Sequence, residues 1–202
     1  MFAALQALLN SLAVSFDLPI LDWIQAHMQC TFLDKAMPIV TLFGDGGVFW
    51  ILVAVALLFF ARYRKTGFSM GMALILGLLV CNIFLKPQVA RIRPYNFQLQ
   101  EYGREITLLV KGLNDYSFPS GHTIACFEAS TVLLIKDKRL GIPAAVIAFL
   151  VAFSRLYLYV HYPSDVIFSM FAGILLGLLG CAIVSIIYHF LPEKRGKYQR
   201  SN

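Results

Sequence analysis

Residues 67–85 read GFSMGMALILGLLVCNIFL, an uncharged apolar run that stops at Lys86. A hydrocarbon core about 30 Å thick is crossed by roughly 20 residues of helix at ~1.5 Å each, so this run is long enough to span it. Peptide groups in lipid have no water to bond, and a lone run satisfies them only by coiling into a helix. Runs of the same kind lie at 45–61, 120–135, 140–160 and 165–190. The links 62–66 and 136–139 leave room only for a reversal, which predicts two helical hairpins. Composition agrees. Of 202 residues 59% are hydrophobic and 14% charged, against about 45–50% and about 25% in a soluble domain. The expected fold is all-α, a polytopic membrane bundle of five transmembrane helices. It forms one domain over 1–202, with 1–44 interfacial, 45–190 in the bundle and 191–202 a basic tail.

The N-terminal part needs a separate reading. Phe2, Leu5, Leu9, Leu12 and Phe16 recur on one helical face, with Gln6, Asn10 and Asp17 away from it. That pattern predicts an amphipathic helix lying in the interface. The alternative is a sixth span within 2–40, against which Asp17, Asp22 and Asp34 count.

A net charge of +6 raises the question of a nucleic-acid partner, and its placement answers it. Ten of the 17 Lys and Arg sit at Arg62, Arg64, Lys65, Lys136, Lys138, Arg139, Lys194, Arg195, Lys197 and Arg200. They flank apolar runs, and such clusters mark the cytoplasmic side. Residues 86–119 and 161–164 then face the non-cytoplasmic side of the cell membrane, and the C-terminus is cytoplasmic. No nucleic acid is expected. Cys30, Cys81, Cys126 and Cys181 form no CxxC pair, and three of them lie inside apolar runs. They predict neither a disulfide nor a metal site.

On that outer side the sequence carries charged groups where lipid makes them costly. Lys86-Pro-Gln-Val-Ala-Arg-Ile-Arg93-Pro94 ends the second run. If the helix continues, Lys86 and Arg93 share a face about two turns apart, an arrangement that suits an anion, although snorkelling cations look the same. Phe118-Pro119-Ser120-Gly121-His122 opens the third run, with Ser120 as N-cap and Gly121 baring N–H groups at a positive helix end. Alone, this is also how an ordinary capped helix starts. Ser154-Arg155 precedes His161 by a few residues, and Asp165 follows four later, close enough to orient an imidazole or merely to begin a helix. Taken together they supply Lys86, Arg93 and Arg155 as cations, a helix N-terminus, two histidines and a carboxylate. Phosphoryl transfer without a metal uses such a set.

These three clusters resemble the signature of the type 2 phosphatidic acid phosphatase superfamily, K-x6-R-P, P-S-G-H and S-R-x5-H-x3-D, with no departure between Lys86 and Asp165. The resemblance implies that His161 attacks phosphorus and forms a phosphohistidine, oriented by Asp165. It implies that His122 protonates the leaving group and then activates water, and that Lys86, Arg93, Arg155, Ser120 and the Gly121 N–H bind the phosphoryl oxygens. It implies no cofactor and no metal, with a lipid phosphate in the bilayer as partner. Residue chemistry alone leaves open which histidine attacks; the nearby carboxylate favours His161.

The loop from Tyr95 to Phe118 is long and rich in aromatics, either part of a lipid entrance or an interfacial belt. Residues 104–111 are expected to form a short surface helix, with Ile106, Leu108 and Leu109 toward lipid. Glu128, inside the third run, is expected to bond to Asn82 or Ser130, without a catalytic part. Three other readings compete. A haloperoxidase of the same superfamily is disfavoured by five spans. A lipid phosphotransferase uses the same intermediate. A non-enzymatic lipid or anion binder would have no use for two histidines and an orienting acid. Undecaprenyl diphosphate stands slightly ahead of phosphatidylglycerol phosphate and phosphatidic acid as substrate, by analogy. Nothing in the sequence fixes the oligomeric state.

Overall fold

The computed structural model describes residues 2–190, with side chains from residue 5 onward, so the basic tail and the side chain of Phe2 lie outside the described residues. The described chain is helical, with no strand. The N-terminal run comprises α1 (Phe2–Leu12) and α2 (Leu18–Met28), joined by a π-helical turn at Ala13–Asp17. Then come α3 (Thr31–Val40), α4 (Val48–Phe59), α5 (Arg64–Gly77) with its π-helical continuation Leu78–Leu85, the single turn α6 (Lys86–Val89) and α7 (Pro94–Tyr102). The chain ends in α8 (Gly121–Lys136), α9 (Lys138–Tyr157) and α10 (Pro163–Phe190). All five expected spans are therefore helical.

By length and composition, five described helical runs could cross a membrane: Leu5–Met28, Thr31–Phe59, Ala61–Tyr102, Lys138–Tyr157 and Pro163–Phe190. This set differs from the sequence reading at three places. The run Thr31–Phe59 begins 14 residues before the first expected span, inside the segment 1–44 expected to be interfacial. Helix α8, at 16 residues, falls short of the length, yet it is the central post of the bundle, packed by α5, α9 and α10. Its residues from Thr123 to Leu133 are buried almost without interruption. Leu5–Met28 meets the length, but both of its ends contact the same end of the bundle. Leu5 and Leu9 pack on Leu85, Val89 and Phe118, while Ile24 and Met28 pack with Tyr157, Leu158 and Val160. Both halves of the run thus pack against one end of the bundle.

Close packing of α8 against α10 rests on small residues. A Cβ on Gly173 would come within 2.8 Å of Phe127 Cβ, and one on Gly177 within 2.8 Å of Thr131 Cβ. With no hydrophobic drive between helices in lipid, such approach of backbones is what holds them together. The outward faces carry exposed Leu52, Ile75, Phe149 and Leu175, as a lipid-facing surface requires.

The turns sort by chemistry. Asp137 caps α9 by accepting from Arg139 N at 3.0 Å, and Tyr63 Oη reaches the same carboxylate at 3.1 Å. The 62–65 and 136–139 basic clusters therefore share one end. Residues 86–94, 115–122 and 155–165 gather at the other, where α1 to α3 lie.

Candidate active site

Helix α9 stops where its last carbonyls are taken by the following turn. Arg155 O accepts from Val160 N (3.2 Å) and His161 N (3.3 Å), and Tyr159 adopts a left-handed φ of 57°. Gln98 donates to Tyr159 Oη at 2.9 Å, and that hydroxyl donates to Asp22 at 2.8 Å, which holds the turn in a conformation costly for a non-glycine residue. His161 is thereby fixed in a buried position, 1% exposed. Its Nε2 lies 3.3 Å from Arg93 Nη1, and its Nδ1 3.5 Å from Ser117 Oγ and 3.6 Å from Asp165 Oδ2. Burial, then the cations of Arg93, Arg155 and Lys86, hold the imidazole well below its ordinary pKa, with Asp115 opposing them. A neutral ring keeps a lone pair for attack.

Asp165 comes close to His161, but the direct hydrogen bond expected from the i,i+4 spacing is absent. The carboxylate is already committed. Its Oδ2 accepts from Ser117 Oγ at 2.5 Å and Tyr162 N at 3.2 Å, and its Oδ1 is paired with Arg91. Ser117, unassigned in the sequence reading, lies beside both ring and carboxylate. Arg91 in turn donates to Asp17 Oδ2 and Leu9 O, each at 2.7 Å, and its guanidinium lies 3.7 Å over the Tyr162 ring. Asp17 also accepts from Ser164 N (2.8 Å) and Ser164 Oγ (2.7 Å). The N-terminal run is thus tied by buried charge to the floor under His161. An aspartate within an otherwise apolar N-terminal run, and a second arginine between Lys86 and Arg93, were the signals available for this network.

Lys86 and Arg93 do meet, but not on one helical face. Helix α6 ends at Val89, Ala90 turns with φ 49°, and Arg93 before Pro94 is extended, as a pre-proline residue prefers. Asp115 brings the two cations together, 2.6 Å from Lys86 Nζ and paired also with Arg93 Nη2. Arg93 further donates to Val160 O at 2.7 Å and Asp115 O at 2.9 Å. Burial works to raise the Asp115 carboxyl, and its hydrogen bond and charge contacts with Lys86 and Arg93 overcome this and hold it at about 2. An anion at that spot is what the cations hold; a phosphate would meet the same partners.

Lys86, Arg93, Gly121, His122 and His161 line a single cavity of about 990 Å³. Its wall continues along α4 and α5 past Ile51, Val55, Leu58 and Phe68, so an apolar slot leads away from the charged end. A Cβ on Gly121 would come within 2.8 Å of Asn82 Oδ1, so a larger residue there must displace the Asn82 side chain. His122 Nε2 faces Asp45 at 3.9 Å.

Arg155, Ser120 and Asp165 do not line this cavity. Arg155 is buried and donates to Thr41 Oγ1 at 2.5 Å, with its Nε lacking a partner. Ser120 occupies the N-cap position of α8, yet its hydroxyl caps no N–H; it accepts from Thr123 Oγ1 at 3.0 Å, and its own N–H donates to Ser169 Oγ at 2.8 Å. Two further expectations fail. Residues 104–111 form no helix, because Ile106 and Leu108 pack inward with Leu21 and Tyr159. Ser130 does not serve Glu128, since its hydroxyl donates to Phe127 O at 3.2 Å.

Known proteins resemble the chain in sequence and in fold. An undecaprenyl-diphosphatase of Sulfolobus acidocaldarius is 34% identical over 160 residues, covering 79% of this chain and 74% of that protein. The crystal structure of Aquifex aeolicus LpxE superimposes with a TM-score of 0.71 at 25% identity, over 83% of this chain and 96% of that one. A phosphatidylglycerolphosphate phosphatase of the PAP2 type from Bacillus subtilis gives 0.67 at 25% identity, over 96% and 95%. The profile of the PAP2 superfamily matches residues 66–195. With all three signature clusters converging on one end of a helical membrane bundle, the chain belongs to the PAP2 superfamily.

Proposed function

We propose that this protein is a membrane phosphatase hydrolysing a lipid phosphate or diphosphate through a phosphohistidine on His161. The observation that carries this reading is the shared cavity: two histidines and two cations at its head, and an apolar slot leading away from them. Nε2 of His161 attacks phosphorus; a P–N bond forms as the P–O bond to the lipid breaks, and His122 gives its proton to the departing oxygen. The Nδ1–H acquires positive charge, which Ser117 and Asp165 stabilise. Water then attacks phosphorus, its proton passes to His122, the P–N bond breaks and inorganic phosphate leaves. Lys86, Arg93 and the Gly121 N–H hold the oxygens on which charge accumulates, and the buried Arg155 adds its charge from behind the cavity wall.

Undecaprenyl diphosphate leads the candidate substrates through the Sulfolobus relative, with phosphatidylglycerol phosphate and phosphatidic acid beside it. The basic end is assigned to the cytoplasm and the cavity head to the opposite side. Phosphate release by detergent-purified protein in EDTA, with labelling from a ³²P-lipid, tests the chemistry. His161→Ala is expected to lose both, and a labelled phosphohistidine in that variant refutes the assignment. Exposed Cys30, beside Tyr157 at the cavity end, should react with an impermeant maleimide added outside cells. Reaction only after lysis reverses the orientation.

A further inference from the structure

The segment Thr41–Gly47, between α3 and α4, is moulded around His122. Thr41 fixes its start by accepting from Arg155 Nη1. Gly44 lies against the imidazole: a Cβ there would come within 2.9 Å of His122 Cβ and 3.0 Å of His122 Cδ2. Gly46 and Gly47 take left-handed φ values of 55° and 68°, open to glycine at little cost, and return the chain straight into α4. Asp45, set among these glycines, lines the head of the cavity, and its Oδ1 stands 3.9 Å from His122 Nε2. Its side chain is 73% exposed and, among the described residues, has no hydrogen bond and no other ion pair.

His122 works among cations. Lys86 and Arg93 line the cavity with it, His161 shares that lining, and Arg155 stands behind the wall. The other acids are spoken for or remote. Asp115 pairs with Lys86 and Arg93, Asp165 with Arg91 and Ser117, and Glu128 lies nearly two turns further along α8. A leaving-group acid must carry a proton into the reaction, and a base that takes one from water becomes an imidazolium. Neighbouring cations penalise that charge, and a carboxylate within about 4–6 Å favours it. We propose that Asp45 is a positioning residue that acts through His122, stabilising the imidazolium that the acid step consumes and the base step creates. The proton stays on His122 until the departing oxygen takes it, so Asp45 makes and breaks no bond. A separation of 3.9 Å is too long for a hydrogen bond, and contacts of this kind tighten when substrate is bound. The inference rests on the lipid-phosphatase reading, in which His122 is the acid.

The test is kcat against pH for the full-length protein, Asp45→Asn and Asp45→Glu, on whichever of dioleoyl phosphatidic acid and farnesyl diphosphate is turned over faster. On the basic side kcat falls as His122 loses its proton. In Asp45→Asn that limb should move about half a pH unit lower, so kcat on it drops about threefold, with KM within about twofold. Asp45→Glu, which keeps the charge, should return the limb to its place. Melting temperatures should not differ, because the replaced side chain is exposed and makes no hydrogen bond. A limb that stays put in Asp45→Asn overturns the proposal, whether or not the melting temperature changes. A change in KM alone overturns it too, since Asp45 would then act on the substrate rather than on His122. If the unaltered protein releases phosphate from neither lipid, the phosphatase reading falls and this proposal with it; release with an unmoved limb sinks only the role of Asp45.

Discussion

Replacing Arg91 by alanine tests whether buried charge, rather than apolar packing, fixes the floor beneath His161. Its side chain is 1% exposed, and both carboxylates it serves, Asp17 and Asp165, are 0% exposed. Removing one partner of a buried ion pair costs about 3–5 kcal/mol, because the other charge is left uncompensated. Here two carboxylates lose their cation at once, so the cost belongs at the upper end, about 4–5 kcal/mol. That lowers the folded-to-unfolded ratio roughly a thousandfold. Asp17→Asn keeps Arg91 on Asp165 and keeps a polar partner for Ser164, so about 1–2 kcal/mol is expected there. Denaturant titration in detergent micelles measures both, and added salt should change the result little because the network is buried. Phosphate release should fall further for Arg91→Ala than for Asp17→Asn, since only the former frees Asp165. An Arg91→Ala protein within about 1 kcal/mol of the unaltered one would refute the reasoning.

Other outcomes follow from the same geometry. Asp115→Asn removes a carboxylate that competes with phosphate for Lys86 and Arg93; each such partly exposed pair is worth up to about 1 kcal/mol, so vanadate inhibition should tighten about three- to tenfold. A Cβ on Gly44 would come within 2.9 Å of both His122 Cβ and Val151 Cγ1, so Gly44→Ala should lower kcat about tenfold or more, with little change in KM. His161 is held neutral in the folded protein, whereas the unfolded chain takes up a proton near pH ~6.5. Stability from this group is therefore full above ~6.5 and declines as pH falls below it. Asp115, held at about 2, stays ionised throughout that window. Thermal melts from neutral to mildly acidic pH should show the decline, and a shallower one in His161→Gln.

The spans and the three signature clusters were legible because long apolar runs and fixed spacings are local properties of a chain. What joins the clusters was not. Asp115 and Ser117 lie in a loop with no periodicity, and only the folded chain shows one bridging Lys86 and Arg93 and the other beside His161. The helical extrapolation past Lys86 failed because the helix ends at Val89 and Ala90 turns left-handed, a break that no residue there announces; Pro94 then keeps Arg93 extended. Local pattern sets Asp17 away from the apolar face and counts it against a sixth span, whereas the folded chain buries it. It is the reason that face has a fixed seat, but its partners, Arg91 and Ser164, lie too far along the chain for local pattern to reveal.

That separation bears on how the protein is made. Asp17 leaves the ribosome first, yet Ser164, which it must bind, follows 147 residues later. At the usual pace of elongation the delay is on the order of ten seconds. During that interval the opening helices have an acidic side chain and no socket to receive it. The segment around Asp17 cannot take its seat until Ser164 has been made, and a nascent chain cut short before Ser164 leaves it stranded in a form that membrane quality control could recognise.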